Sequence, residues 1–166
     1  MFLKYNKNKI VFNDNNSQEK RKLIDKKLFE FNQSQSERVV ECDLAVGEAL
    51  RDRLQTAPPT FIEMYAEVEP EKLVGGLIGY IDWGRWLYID AIWIDANYRK
   101  QGIGKRLVIS AEQKAKKKGI KRARLYTFDF QALPFYQKLG YTVYGELEDF
   151  PEGHTAYYLK KILIDT

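Results

Sequence analysis

The chain has 166 residues, of which 45% are hydrophobic and 30% are charged, and its formal net charge is +4. This length favours a single domain over residues 1–166, and the apolar content excludes a disordered chain. No apolar run could span a bilayer, and the N-terminal residues lack the apolar core of a secretory signal, so we expect a cytoplasmic protein with no membrane partner. A single cysteine, Cys42, excludes an internal disulfide and a cysteine-built metal site, and we predict no metal cofactor.

The N-terminal third predicts one short strand, over residues 9–13, and two helices. Polar residues at 15–17 are candidate N-caps for the first helix. The predicted apolar face of this helix is formed by Leu23, Ile24, Leu28 and Phe31. A second helix is predicted over 44–54, and it cannot continue through the Pro58-Pro59 pair.

Three antiparallel strands are predicted next, over 60–68, 73–82 and 86–95. A polar turn joins the first two strands, and a tight turn at Trp83-Gly84 joins the second to the third. In the third strand, residues 87–94 are apolar on both alternating faces, which predicts a central strand that is covered on two sides.

The remaining sequence predicts helices and strands in alternation. An apolar stripe predicts a helix from Ile103 to near Gly119, and a strand follows over 121–128. A strand, a crossover helix and a strand in this order favour parallel pairing. A short helix and two strands complete the chain, over 131–139, 141–147 and 155–162. The predicted fold class is therefore mixed α/β, with a mostly antiparallel sheet of about seven strands, one parallel pair and helices on both faces.

A basic, glycine-containing turn connects the apolar third strand to the amphipathic helix. Its residues are Arg99, Lys100, Gln101, Gly102, Ile103 and Gly104. Glycines let the backbone approach an anion closely, and the first amides of a helix and its dipole attract negative charge. The turn therefore predicts a phosphate site, although ordinary strand-to-helix loops also use glycine.

A second sequence motif lies further along the chain, after the turn. Ala132 and Tyr136, followed by Gly140-Tyr141, fit the pattern A-x-x-x-Y-x-x-x-G-F/Y. Together with the antiparallel strands and the R-x-x-G-x-G turn, this pattern resembles the GNAT superfamily of acetyl-CoA-dependent N-acetyltransferases, over roughly 73–163. Residues 145–155 further resemble a branch of bacterial acetyltransferases without an assigned substrate. The resemblance implies the GNAT fold with a splayed parallel strand pair, acetyl-CoA as co-substrate, and direct acetyl transfer to a primary amine.

The resemblance also implies roles for individual residues. Backbone amides from Gln101 to Lys105 are expected to bind the pyrophosphate, helped by the charges of Arg99, Lys100 and Lys105. The main chain of Ile92, Trp93 and Ile94 is expected to pair with the pantetheine arm. Tyr136 is implied as the general acid that protonates the departing thiolate. Asp129 stands where many members have Asn, so it either contacts the cofactor or caps the following helix.

The general base is predicted from the sequence itself. Asp90 is the first candidate, because a carboxylate inside an apolar strand needs either a hydrogen-bond partner or a catalytic role. The other interpretation of Asp90 is a structural hydrogen bond. The alternatives are Glu63, Glu148, His154 and a water molecule. For His154, the only histidine, we favour a structural role in a loop.

An acidic cluster, Glu146, Glu148, Asp149 and Glu152, predicts an acceptor site for a cationic amine. The acceptor could be a polyamine, an aminoglycoside, or a protein lysine or N-terminus. Two other functions stay open: an acyl-CoA-binding sensor without turnover, and a nucleic-acid-binding module that uses the basic residues of 114–124. That basic cluster lacks interleaved stacking aromatics, which argues against nucleic acid. The resemblance also allows a homodimer, which no sequence feature here requires.

Overall fold

A computed structural model describes residues 10–14, 17–35, 60–68, 72–82 and 84–163. The predicted helix at 44–54 and Cys42 lie outside these residues. Within them, the strands are β1 (Ile10–Asn13), β2 (Thr60–Val68), β3 (Lys72–Ile81), β4 (Leu87–Ile94), β5 (Arg122–Phe128), β6 (Thr142–Leu147) and β7 (Ala156–Ile162). The helices are α1 (Gln18–Gln35), α2 (Ile103–Lys117) and α3 (Leu133–Lys138), with a 3₁₀ helix at Ala96–Tyr98.

The strands form one seven-stranded sheet in the order β1-β2-β3-β4-β5-β7-β6. All neighbouring strands pair antiparallel except β4 and β5, which are parallel and are connected through α2. The predicted mixed sheet with one parallel pair is confirmed. None of the described helices is both long and apolar enough to cross a membrane.

Helices cover both faces of the sheet, as predicted. On one face α2 buries an apolar stripe that includes Leu107 and Ala111. On the other face α1 inserts Ile24, which is fully buried in a cluster with Tyr65, Ile78 and Ala91. Ser17 caps α1, because its Oγ accepts a 3.2 Å hydrogen bond from the amide of Lys20.

The predicted apolar face of α1 is wrong at one position. Leu23 is exposed, whereas its neighbour Ile24 is fully buried. Successive helix residues point about 100° apart, so only one of the two can face the sheet. Both are apolar, and contact with the sheet decides which one is buried.

A β-bulge divides β4 into two halves. Ala91 pairs with Ile78 and Ile89 pairs with Gly79, so Asp90 is an extra residue that has no position in the ladder. The bulge reverses the alternation of side chains: Leu87 and Ile89 precede it on the α2 face, and Ala91 follows it on the α1 face. Bulges bend a strand and occur next to active sites.

The bulge marks the point where the parallel strands separate. β4 pairs with β5 only at Leu87 with Ala123 and at Tyr88 with Arg124. β4 stays paired with β3 as far as Ile94, while β5 pairs with β7 along its whole length. From Ile89 onwards the two strands diverge, which confirms the splayed pair and opens a cleft between them.

Candidate active site

The cleft between β4 and β5 has a volume of about 1300 Å³. One part of its lining is basic and belongs to the phosphate turn: Tyr98, Arg99, Lys100, Gly102, Ile103, Gly104 and Lys105. Another part is aromatic and carries charges of both signs: Arg21, Asp25, Lys26, Phe61, Tyr80, Asp90, Tyr126 and Phe128. Tyr136 and Phe135 line it from α3. The cleft therefore brings both sequence motifs together with residues of α1 and β3.

The phosphate turn has the backbone geometry of an anion site. Lys100 and Gly102 both have positive φ angles, 60° and 79°, and Gly102 is the N-cap of α2. The hydrogen bond from the Arg106 amide to the Gly102 carbonyl, at 3.0 Å, begins the helical pattern. The amides of Ile103, Gly104 and Lys105 precede that bond, so they need acceptors outside the helix. They sit at the positive end of the helix dipole.

Gly104 has a packing role in addition to any contact with an anion. A Cβ at this position would lie 3.3 Å from Cζ of Phe135. The glycine therefore lets α2 approach α3, which carries Tyr136. At Gly102 the space around a Cβ is open, and the positive φ angle alone favours glycine.

Two side chains of the turn are held by neighbouring backbone carbonyls. Nε of Arg99 donates to the Ile94 carbonyl at 3.1 Å, and Nε2 of Gln101 donates to the Asn97 carbonyl at 3.2 Å. Arg99 thereby ties the turn to the end of β4. Lys100 and Lys105 are exposed at the cleft.

The second half of β4 forms one wall of the cleft. Ile92, Trp93 and Ile94 all line it and are half-buried. The side chains of Ile92 and Ile94 pack with the α2 face and Trp93 packs with the α1 face, as ordinary core residues do. From Ile89 onwards, the edge of β4 that faces β5 has no ladder partner among the described strands.

Tyr136 lies in α3 with its ring buried and its side chain at the cleft. Its hydroxyl has no hydrogen-bond partner within the described parts of the chain. Burial raises the pKa of the Tyr136 phenol well above its usual value. At neutral pH the group is therefore a protonated donor that faces the cleft.

Asp90 is exposed at the cleft because the bulge turns it out of the ladder. Its negative charge changes the pKa of two nearby tyrosines. Burial, and then the negative charge of Asp90, raise the pKa of Tyr80 to about 12 and raise that of Tyr88 as well.

None of the alternative bases, Glu63, Glu148 and His154, lines the cleft. Glu63 is fully buried, forms an ion pair with Arg21, and accepts a 2.9 Å hydrogen bond from the Tyr65 hydroxyl. Glu148 is exposed and does not line the cleft. The same is true of the rest of the acidic cluster at 146–152, which the sequence predicted at the acceptor site.

Asp129 does not cap the following helix, so that interpretation is wrong. The N-cap of α3 is Ala132, without a side-chain cap. Oδ1 of Asp129 instead accepts a 2.8 Å hydrogen bond from the Phe130 amide and lies 3.1 Å from Nδ1 of His154. His154 also meets the Phe130 ring edge to face at 4.7 Å. Neither Asp129 nor His154 lines the cleft.

Sequence reasoning missed the residue that closes the turn between β5 and α3. Oε1 of Gln131 accepts hydrogen bonds from the Phe128 amide and the Thr127 hydroxyl, both at 3.1 Å. Gln131 lines the cleft and lies five residues before Tyr136. A lone glutamine has no sequence signature for this role. No group of three or more potential metal ligands occurs among the residues that the structure describes.

Comparison with known proteins agrees with this geometry. The family model described as "Acetyltransferase (GNAT) family" matches residues 24–141. The chain belongs to the GNAT acetyltransferase family. It is accordingly an acetyltransferase that uses acetyl-CoA, and the family favours this activity over a sensor or a nucleic-acid-binding module.

Individual relatives support the assignment. The blasticidin-S acetyltransferase of Streptomyces morookaense is 38% identical over 111 residues, which cover 66% of this chain and 81% of the relative. A solved acetyltransferase from Bacillus cereus is 30% identical, with a TM-score of 0.60 over 90% of this chain and 96% of that one. A protein described as a streptothricin acetyltransferase of Bacillus anthracis was solved with acetyl-CoA. It is 27% identical, with a TM-score of 0.58 over 66% of this chain and 65% of that one.

Proposed function

We propose that this GNAT enzyme transfers the acetyl group of acetyl-CoA directly to a primary amine, with both substrates bound together. The observation that carries the proposal is the set of residues that line one cleft. The cleft is lined by the phosphate turn, by the unpaired second half of β4, by Asp90 and by Tyr136. The names of two relatives, which mention blasticidin-S and streptothricin, support a small-molecule acceptor.

The pyrophosphate of the cofactor binds at the phosphate turn. The amides of Ile103, Gly104 and Lys105 donate hydrogen bonds to it, because the helix offers them no carbonyl. Arg99, Lys100 and Lys105 add positive charge. Arg99 also keeps the turn attached to β4 through the Ile94 carbonyl.

The pantetheine arm binds along β4. Acetyl-CoA supplies the acetyl group as a thioester when it is bound. The main chain of Ile92, Trp93 and Ile94 pairs with the arm where β5 has moved away. Asp129 contributes by fixing the loop that carries Phe130, and we assign it no contact with the cofactor.

Asp90 acts as the general base. An amine with a solution pKa near that of lysine, about 10.4, is protonated at neutral pH and must lose a proton before it attacks. The bulge places the Asp90 carboxylate in the cleft, beside Tyr80. Asp90 takes the proton, directly or through water, and the amine nitrogen then forms its bond to the acetyl carbon.

Tyr136 acts as the general acid. When the carbon–sulfur bond breaks, the sulfur takes a proton from the Tyr136 hydroxyl. The acetylated nitrogen loses its second proton to water, and Tyr136 regains a proton from the same water, while Asp90 releases the first proton to solvent. Burial raises the pKa of the phenol, and it also raises that of a thiol that forms in the same cleft.

The test is calorimetric titration of the protein with acetyl-CoA, followed by a thiol-release assay with a panel of primary amines. We expect one-to-one binding and amine-dependent thiol release. Binding without release across the panel would instead support a sensor. The variant Cys42→Ala distinguishes direct transfer from an acyl-cysteine route, and we expect it to keep wild-type activity.

A further inference from the structure

The amide of Phe128 lies at an edge of β5 that has lost its neighbouring strand. Backbone amides alternate between the two edges of a strand. The amide of Asp129 donates to the Thr155 carbonyl at 3.0 Å, on the side of β7, so the Phe128 amide points to the other edge. β4 occupies that edge only beside Ala123 and Arg124, and it has diverged from β5 before Phe128. Because Phe128 is buried, its amide needs an acceptor that is not a strand.

The side chain of Gln131 supplies this acceptor. Its Oε1 accepts 3.1 Å hydrogen bonds from the Phe128 amide and from the Thr127 hydroxyl. A backbone amide can only donate, so the oxygen of Gln131 and not its nitrogen must face Phe128. Thr127 is also buried, and its Oγ1 accepts a 3.4 Å hydrogen bond from the Ala132 amide. One continuous set of hydrogen bonds therefore links the end of β5 to the N-cap of α3.

This set of hydrogen bonds fixes the start of the helix that carries Tyr136. Ala132, the N-cap of α3, has no side chain that could cap the helix. Its carbonyl accepts the amides of Phe135 and Tyr136, at 3.0 and 3.3 Å. Thr127 and Gln131 line the same cleft as Tyr136. A change in their hydrogen bonds would therefore move Tyr136 relative to the cleft.

We propose that Gln131 is a positioning residue for acetyl transfer. Its Oε1 holds Thr127 and Phe128 together, which we call the Gln131 clamp, and the clamp keeps the Tyr136 hydroxyl where the departing sulfur forms. A displacement of about 1 Å at a reacting group can slow catalysis by about a hundredfold, so a small shift of α3 is enough. Gln131 itself transfers no proton. The proposal rests on the role of Tyr136 as general acid that is proposed above.

Three variants test the clamp in the thiol-release assay, with the most active amine of the panel. Gln131→Met has a similar length without the amide oxygen, and we expect kcat to fall by about tenfold or more. Its Kd for acetyl-CoA should change by less than about twofold, because the pyrophosphate binds at α2. Gln131→Glu keeps an acceptor oxygen, so its kcat should stay within about threefold of wild type. The matched control is Gln137→Met, an exposed position of α3 outside the cleft, which should keep wild-type kcat.

A double-mutant cycle shows whether Gln131 acts through Tyr136. Gln131→Met is combined with Tyr136→Phe, which leaves no hydroxyl to position, so the double variant should match Tyr136→Phe within about twofold in kcat. Thermal melting verifies folding. If Gln131→Met does not fold, Thr127→Val removes the other partner of the clamp and enters the same cycle with the same expectation. Wild-type kcat in folded Gln131→Met, no rescue by Gln131→Glu, or a full second loss in the double variant would overturn the proposal.

A second readout needs no acetyl transfer. Amide hydrogen exchange of Tyr136 is measured in wild type, Gln131→Met and Gln131→Glu without substrates. We expect faster exchange in Gln131→Met and wild-type exchange in Gln131→Glu. Unchanged exchange in Gln131→Met would overturn the clamp. Faster exchange, together with a Tyr136→Phe enzyme that keeps wild-type kcat, would support the clamp and contradict only the proposed role of Tyr136 as general acid.

Discussion

The rings of Tyr136 and Tyr141 meet edge to face, with their centroids 5.9 Å apart, yet their hydroxyls are in different situations. The Tyr141 hydroxyl donates a 3.0 Å hydrogen bond to Glu112, whose carboxylate also binds Lys161 at 2.7 Å. The Tyr136 hydroxyl has no partner among the described residues and faces the cleft. One tyrosine of the motif is therefore structural, and the other is available for chemistry.

This difference predicts that the same substitution, tyrosine to phenylalanine, affects turnover at position 136 and stability at position 141. Tyr136→Phe should lower kcat by about a hundredfold or more, because the departing thiolate loses its proton donor. The Kd for acetyl-CoA should change by less than about twofold. Tyr141→Phe is the control: it should lower the free energy of unfolding by about 1–3 kcal/mol, because Glu112 loses a buried donor. Equal losses of kcat and of acetyl-CoA affinity in Tyr136→Phe would make Tyr136 a binding residue.

Replacement of Asp90 tests the general base. Asp90→Asn should lower kcat at neutral pH by about a hundredfold, and raising the pH towards the pKa of the amine should restore part of the rate. The control Glu148→Gln, outside the cleft, should retain full activity. A pH–rate profile of each variant is the measurement. An Asp90→Asn enzyme with the wild-type profile would assign the proton transfer to water.

Gly102 and Gly153 provide a matched pair for the phosphate turn. Both have φ angles near 80°, and a Cβ on either would meet nothing within 4 Å. An aspartate imposes similar backbone strain at both positions, but only Gly102 lines the cleft. Calorimetry should therefore show loss of acetyl-CoA binding in Gly102→Asp and near-normal binding in Gly153→Asp. Unchanged affinity in folded Gly102→Asp would contradict the pyrophosphate assignment.

The buried carboxylate of Glu63 depends on Arg21 for its charge partner. Arg21→Met should lower the free energy of unfolding by about 3–5 kcal/mol, because it leaves an uncompensated charge inside the protein. Lys26→Met removes an exposed partner on the same helix and should have little effect. Urea denaturation measures both. A small loss in Arg21→Met would mean that water or another group reaches Glu63.

Buried tyrosines predict a loss of stability at alkaline pH. The pKa of Tyr80 is about 12 in the folded protein, because of burial and the charge of Asp90, against a reference value of 10.0. Above about pH 10 the unfolded chain releases the proton and the folded protein retains it, so stability falls by about 1.4 kcal/mol per pH unit for such a group. Urea midpoints over this range should show the decline. Tyr80→Phe should make it shallower, and an unchanged slope would contradict the raised pKa.

The sequence by itself determined the features that depend on local patterns. The order of strands and helices from residue 60 onwards, the parallel pair and the turn at Gly102 all follow from apolar periodicity and from backbone angles that glycine adopts readily. The motif around Tyr136 is equally local. The predicted strands, helices and turn are confirmed because neighbouring residues decide them, and the role of Tyr136 stays a prediction.

Tertiary contacts decided the rest. The bulge at Asp90 could not be predicted from the sequence. Nearly every residue from 87 to 94 is apolar, so the sequence pattern is the same whether or not the alternation of side chains between the two faces is reversed. Asp129 lies beside His154, which is 25 residues away in the chain, so its partner could not be seen locally. Asp25 reaches the cleft because Ile24 packs against Ala91 on a distant strand. The chemistry of the cleft depends on which distant segments meet, and burial of apolar surface across the whole sheet determines that.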